Sequence, residues 1–265
     1  MRVLHIWNTA GVASIISKYQ RLLGMESDVI TRKSHDAFGY TEYYDGTLLD
    51  MTSNEFIKHA VSISAAYDVI HVHSAFKLCK ELREANPRKK IILHHHGTDL
   101  SRTPFLYLLT FYKHVDEIIT STPDISKILN DKGVKNTLVL NPVDTDIFKP
   151  DDQPKSKALY ISTKYIDTAK ALEFYNLDIE VDVFDREIDF IPCFEMPKLL
   201  NKYTHYIDVK CPEWLDEPVQ AYSKTGMEAL ACGLKVFNYK GVVVEGLRPE
   251  QQPEYMVERI NGLYV

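Results

Sequence analysis

Half of the ten histidines lie between His71 and His96, in the runs Ile-His-Val-His-Ser and Leu-His-His-His-Gly-Thr-Asp. An imidazole donates or accepts a hydrogen bond, ligates a metal, or changes charge near neutral pH. Side chains two apart on a strand share a face, so His71 pairs with His73 and His94 with His96, while His95 points away. A metal centre needs three or four converging ligands, each oriented by a further partner. No cysteine- or carboxylate-rich segment accompanies these histidines, so the expectation is no metal and imidazoles hydrogen-bonded within a sheet. Gathered around an ion, the same residues would make a metal-dependent hydrolase. His96, immediately before Gly97, is the one best placed to work in a cleft.

A second constellation lies in residues 217–236. Ser223, Lys224, Thr225 and Gly226 are small or polar and open a helix whose backbone N–H groups have no partner inside it, a natural cradle for a diphosphate. Glu228 follows one turn in. A carboxylate so close to phosphate is electrostatically awkward unless it accepts hydrogen bonds from neutral sugar hydroxyls, as the acidic residue of dinucleotide folds does with ribose. The alternative is a carboxylate that complements the helix dipole. Near the N-terminus, Asn8-Thr9-Ala10-Gly11-Val12-Ala13-Ser14 joins a strand to a helix through small residues. Gly11 there either admits a ligand to the backbone or makes a tight turn. The run lacks the Gly-x-Gly-x-x-Gly spacing, which disfavours NAD.

The elements that must position these residues alternate. Strands are expected at Val3–Trp7, Asp28–Thr31, Val69–His73, Ile91–His95, Glu117–Thr120 and Leu138–Leu140, with amphipathic helices between them. Lys149 to Lys157 packs prolines and charges and reads as a linker. After it the alternation restarts, with strands at Ala158–Ile161, Glu180–Phe184, Tyr206–Val209 and Lys235–Asn238 and a helix over Thr225–Ala231. The fold class is α/β, two Rossmann-like domains facing across a cleft with the second smaller. The first spans 1–148, the linker 149–157 and the reduced second domain 158–265.

Composition bounds the partners. With 31 Lys and Arg against 37 Asp and Glu, the chain of 265 residues carries a net charge of -6, which offers no global attraction to nucleic acid. No apolar stretch reaches the roughly 20 residues of a membrane span, and the N-terminus turns polar at Asn8, so no secretory leader is expected. Four scattered cysteines without a Cys-x-x-Cys pair fit reduced thiols in the cytoplasm. The apolar run from Phe105 to His114 offers at most peripheral membrane contact. Its all-round apolar character points instead to a helix buried in the first domain.

Four separated segments, Tyr67–His73, His96–Asp99, Leu140–Pro150 and Met227–Gly233, resemble in type and order the family-four retaining glycosyltransferases. The resemblance spans essentially the whole chain. It implies the two-domain GT-B fold and transfer of a sugar from a nucleotide-diphosphate donor to an acceptor hydroxyl, with retention, no metal and no cofactor. The acceptor would be a carbohydrate or a lipid-linked molecule. Carried over by position, Glu228 matches the second glutamate of the Glu-x7-Glu motif and holds the donor ribose. Gln220 replaces the first, keeping hydrogen-bonding capacity without the charge. Ser223, Lys224 and Thr225 fall at the diphosphate, and His96 matches the histidine near the transferred sugar. Gly11 lies in the loop approaching donor and acceptor, and Lys164 and Lys170 stand where an Arg and a Lys neutralise the phosphates. Gln220 and the short second domain also raise a non-catalytic nucleotide- or sugar-binding protein on the same scaffold.

Overall fold

The computed structural model describes residues 1–101, 103–163, 166–186, 188–213, 218–219 and 223–265. The chain divides into two compact units, Met1–Pro142 with Pro253–Val265, and Val143–Gln252.

The first unit runs β1 (Arg2–Ile6), α1 (Val12–Leu22), β2 (Glu26–Arg32), α2 (Tyr40–Tyr43), β3 (Thr47–Leu49), α3 (Ser53–Ser64) and β4 (Val69–His73). It continues with α4 (Leu78–Ala85), β5 (Lys90–His95), α5 (Thr98–Ser101), α6 (Phe105–Tyr112), β6 (Glu117–Thr120), α7 (Pro123–Asp131) and β7 (Thr137–Leu138). All seven strands are parallel, in the order β3-β2-β1-β4-β5-β6-β7. Both faces of such a sheet are covered, so β4 is buried throughout and β5 from Ile91 onward. Alternation divides the residues. Leu4, Ile6, Ile70, Val72, Ile91 and Leu93 enter one apolar core with Phe56 and Leu82, while His5, His71, His73, His94 and His96 share the opposite face. His5 pairs with His71 and His73 with His94 in the strand register.

The second unit contains β8 (Ser156–Ser162), α8 (Thr168–Glu173), β9 (Val181–Asp185), α9 (Met196–Leu200), β10 (Tyr203–Asp208), α10 (Lys224–Ala231), β11 (Lys235–Asn238) and β12 (Val243–Glu245). Its sheet has the order β12-β11-β10-β8-β9, parallel except for the antiparallel edge strand β12. Tyr160, Ile207, Val209 and Phe237 form its core. Both units are thus Rossmann-like, and in each the strand order reverses beside the first strand, at β1/β4 and at β8/β10. Ligands of open α/β sheets bind at such switch points, beyond the carboxyl ends of the strands.

Three expectations change. The last helix, α11 (Pro253–Gly262), belongs to the first unit and not to the span 158–265. Met256, Val257 and Ile260 are buried, and Gln20 on α1 donates to Asn261 Oδ1 and Tyr264 Oη at 2.9 and 3.0 Å. The expected linker 149–157 is tied to the second unit: Asn201 Nδ2 donates to the Lys149 carbonyl, and Lys155 Nζ donates to Asn201 Oδ1 and to the Cys232 carbonyl. Helix α6 is buried on one face only, with Phe105, Phe111 and Tyr112 packed partly against the core. Leu108 alone among its residues is buried, while Leu106 is 79% exposed and Tyr107 and Leu109 also face solvent. Among the described residues no helix is long and apolar enough to cross a membrane, and the four cysteines are buried and free.

Candidate active site

At the switch point of the second unit, β10 delivers Asp208 against the opening turn of α10. Ser223, in extended conformation, caps that helix, its Oγ accepting from the Gly226 N–H at 2.9 Å. The Ser223 N–H itself donates to Asp208 Oδ2 at 3.0 Å. Only glycine fits at 226, because a Cβ there would lie 2.4 Å from Asp208 Oδ2. Burial pushes the Asp208 carboxyl up and the neighbouring Lys210 ammonium down. Both shifts favour the uncharged forms.

One turn into α10, Lys224 Nζ and Glu228 Oε1 form an ion pair at helical i,i+4 spacing. Glu228 is 1% exposed, and the Lys224 ammonium also lies over the Phe148 ring. Thr225 is buried in the same turn. Across the switch point, α8 follows β8, and Asp167 caps it by accepting from the Lys170 N–H at 3.0 Å. Lys170 stands near Cys211, whose thiol burial raises and the lysine charge lowers. The sheet therefore brings Lys170, Ser223, Lys224, Thr225 and Glu228 to one end of adjacent strands. Lys164 and Gln220 lie outside the described residues.

The switch point of the first unit is conformationally strained. Trp7 and Ala10 after β1 and Ser74 after β4 have φ of 75°, 51° and 58°, values costly for residues with a side chain. Thr9 Oγ1 donates to Ser74 Oγ at 3.2 Å across the two loops. Gly11, at φ +76°, sits under the Tyr40 ring, where a Cβ would lie 2.2 Å from Tyr40 Cδ1. Its lack of a side chain thus serves a protein contact. Beside these loops a cavity of about 260 Å³ is lined by Trp7, Phe56, Ile57, Phe76 and Leu78, with Arg32 and Lys77 as its cations.

His96 sits at the end of β5 and begins a hydrogen-bonded chain. Its Nε2 lies 3.0 Å from His73 Nδ1, His73 Nε2 lies 3.0 Å from His5 Nδ1, and His5 Nε2 lies 2.9 Å from Gln20 Oε1. Burial, aided by the His95 ring and opposed by Asp99, lowers His96 to about 4, so it is neutral at pH 7. His5 also falls to about 4, and His71, His73 and His94 lie well below their usual value, burial leading in each case. His95 points away as the alternation required, its Nδ1 2.6 Å from Asp99 Oδ2 and its Nε2 3.0 Å from Tyr112 Oη. Burial works to raise the Asp99 carboxyl, but the His95 ring and the His96 N–H outweigh it and hold it low.

The family model described as Glycosyltransferase Family 4 matches residues 12–147, just over half of the chain. The chain belongs to that family. No curated protein matches it. Among solved structures it is similar to MurG of Acinetobacter baumannii, at 10% identity over 98% of this chain and 83% of that one, with a TM-score of 0.44. It is also similar to UGT89C1 of Arabidopsis thaliana complexed with UDP, at 10% identity over 98% and 89% with a TM-score of 0.49. A third is the glycosyltransferase SsfS6 of Streptomyces sp. SF2575, at 12% over 99% and 85% with a TM-score of 0.46. The fold stands on the sheet topology, not on these likenesses.

Each of the two switch points contains residues that sequence reasoning missed. Asp208 and Lys210 carry no motif; the signal was a charged residue at the end of a buried strand. His5 was separated from the other histidines, although a histidine on a central strand is itself unusual. Gln20 and Tyr264 lie on helices far apart in sequence, and nothing local joins them.

Proposed function

We propose that the protein transfers a sugar from a nucleotide-diphosphate donor to an acceptor hydroxyl, with retention and without a metal in bond making. The observation that supports this most is the convergence of Lys170, Ser223, Lys224, Thr225 and Glu228 at the β8/β10 switch point. The opening turn of α10 and the two lysines would stabilise negative charge growing on the leaving diphosphate, an electrostatic effect fixed in place before reaction. Glu228 would accept from the ribose hydroxyls, Gln220 would hydrogen-bond sugar hydroxyls as a neutral group, and Lys164 would add a cation. Neutral His96 would orient the transferred sugar by hydrogen bonding. The acceptor hydroxyl would then attack from the face the diphosphate leaves. The proton it loses would pass to the departing phosphate oxygen.

The first unit would hold the acceptor. Its cavity, apolar with Arg32 and Lys77 at the edge, suits a molecule with an apolar part and an anionic group, such as a lipid-linked acceptor. Exposed Leu106, Tyr107 and Leu109 on α6 would give the peripheral membrane contact that such an acceptor requires.

A thermal-shift panel of nucleoside diphosphates and their sugars, with chelator throughout, tests the donor site. A nucleotide at a hundred times its dissociation constant adds about 2.7 kcal/mol of stability. The expected result is a shift with one base, retained with chelator and lost in Glu228→Ala. No shift with any nucleotide would contradict the reading. Donor binding with no nucleoside diphosphate released in the presence of acceptor would identify a non-catalytic binding protein instead.

A further inference from the structure

The histidine face of the first sheet contains an unsolved hydrogen-bonding problem. Among the described residues, neither ring nitrogen of fully buried His94 has a partner, and His96 Nδ1 and Asn141 Oδ1 are also unpartnered. Burying such groups without partners is unfavourable. One nitrogen from each of His73, His94 and His96 lies within 4.8 Å of the others.

The tautomers around this trio are set from outside it. Gln20 Oε1 is an acceptor only, and the Gln20 amide nitrogen is spent on Asn261 and Tyr264. His5 must therefore donate through Nε2, which leaves its Nδ1 to accept from His73 Nε2–H. His73 Nδ1 then carries a lone pair directed at His96 Nε2, 3.0 Å away, close to the roughly 3.3 Å expected between two nitrogens on one tetrahedral ion with metal–nitrogen bonds of about 2.0–2.1 Å.

We propose that His73, His94 and His96 form a binding site for a single divalent transition-metal ion of the imidazole-preferring class, with zinc as the representative ion. Metal occupancy would give one of the two His94 ring nitrogens a partner. His94 supplies one nitrogen, and His96 supplies Nε2 while its proton moves to Nδ1, where the unpartnered Asn141 Oδ1 would accept it. His5 and Gln20 orient His73 from behind, the outer-shell support that metal-bound histidines generally have. The rings are neutral, as ligation requires, and Asp99, held by the His96 and Gly97 N–H groups at 3.1 and 2.9 Å, supplies negative charge nearby. The alternative trio His5, His71 and His73 is less suited, because both His5 nitrogens are committed to His73 and Gln20, although His71 Nε2 is also unpartnered. His96 is only partly buried, which gives the ion its way in. Ligation occupies the imidazole assigned above to the sugar, so the metal would act as a brake on transfer and not as its cofactor.

The test reads metal binding and not turnover, so it stands apart from the donor assignment. Chelator-stripped protein is titrated with zinc alone while melting temperature and bound metal are measured, and cobalt(II) is used as a coloured substitute. The expected results are one zinc per chain, a rise in Tm, and the intense visible absorption of a four- or five-coordinate cobalt site. His94→Leu, an apolar replacement suited to a buried strand, removes both signals. Gln20→Leu, which frees the tautomers without touching a ligand, weakens zinc binding by roughly 10- to 100-fold. Wild-type protein that binds no stoichiometric zinc and stays colourless with cobalt overturns the proposal, whether or not the variants fold. So does binding that survives in folded His94→Leu.

Discussion

The two switch points bury polar groups in opposite ways. In the first unit, five imidazoles on one sheet face are kept neutral by burial and hydrogen-bond one another through His5, His73 and His96. In the second, Lys224 and Glu228 keep their charges together inside one helical turn, and Asp208 receives the backbone N–H of the helix cap. A neutral cluster has lone pairs to give and suits uncharged hydroxyls or a metal cation. A helix opening flanked by lysines suits an anion. On the proposed function, the second unit would take charge off a leaving phosphate while the first would handle sugar and acceptor.

The sharpest way to break this contrast is to remove one charge. Glu228→Leu takes the carboxylate from beside a buried ammonium and is expected to cost about 3–5 kcal/mol by urea denaturation. Lys224→Met combined with Glu228→Leu should recover most of that loss, whereas additive losses would show that the two do not act as a pair. In the neutral cluster the corresponding cut is smaller. Gln20→Leu strips His5, Ser27 and Tyr264 of a partner and should cost about 1–3 kcal/mol. A loss as large as that of Glu228→Leu would mean that the histidine face carries charge after all.

Gly226→Ala sharpens the comparison from the backbone side. Its Cβ would meet Asp208 Oδ2 at 2.4 Å, so overpacking should destabilise by about 1–3 kcal/mol and shift the helix opening enough to weaken nucleotide binding in the thermal-shift panel. Unchanged nucleotide affinity would remove α10 from the donor site. The smallest stability effect is expected outside both switch points. Leu106→Asp on exposed α6 should stay within about 0.5 kcal/mol of wild type yet lose flotation with anionic vesicles. Equal flotation of the two proteins would exclude α6 as a membrane contact.

How much of this was legible in the sequence follows from the range of the interactions. The facing of His71 with His73 and of His94 with His96, and the outward turn of His95, follow from strand periodicity alone and hold in the structure. The opening of α10 was readable because a serine cap and an acidic residue one turn later are local signals. The return of α11 to the first unit was not, since it depends on Gln20 meeting Asn261 and Tyr264, a pairing no local pattern encodes. Helix α6 misled for a related reason. Seven of its eight residues are apolar, so periodicity cannot say which side is covered: Leu108 is buried, Phe105, Phe111 and Tyr112 pack partly against the core, and Leu106, Tyr107 and Leu109 face solvent. Asp208 and the orphaned His94 became visible only once the strands set their neighbours in place.

The most direct test is release of nucleoside diphosphate from a panel of nucleotide sugars, with acceptor extract and chelator present, by wild-type protein and Glu228→Ala. The predicted result is release from one nucleotide sugar, undiminished by chelator and slowed roughly ten- to a hundredfold in the variant, the equivalent of about 1.5–3 kcal/mol for hydrogen bonds to a charged group. Equal rates in the two proteins, or release that stops when metal is removed, would contradict the account.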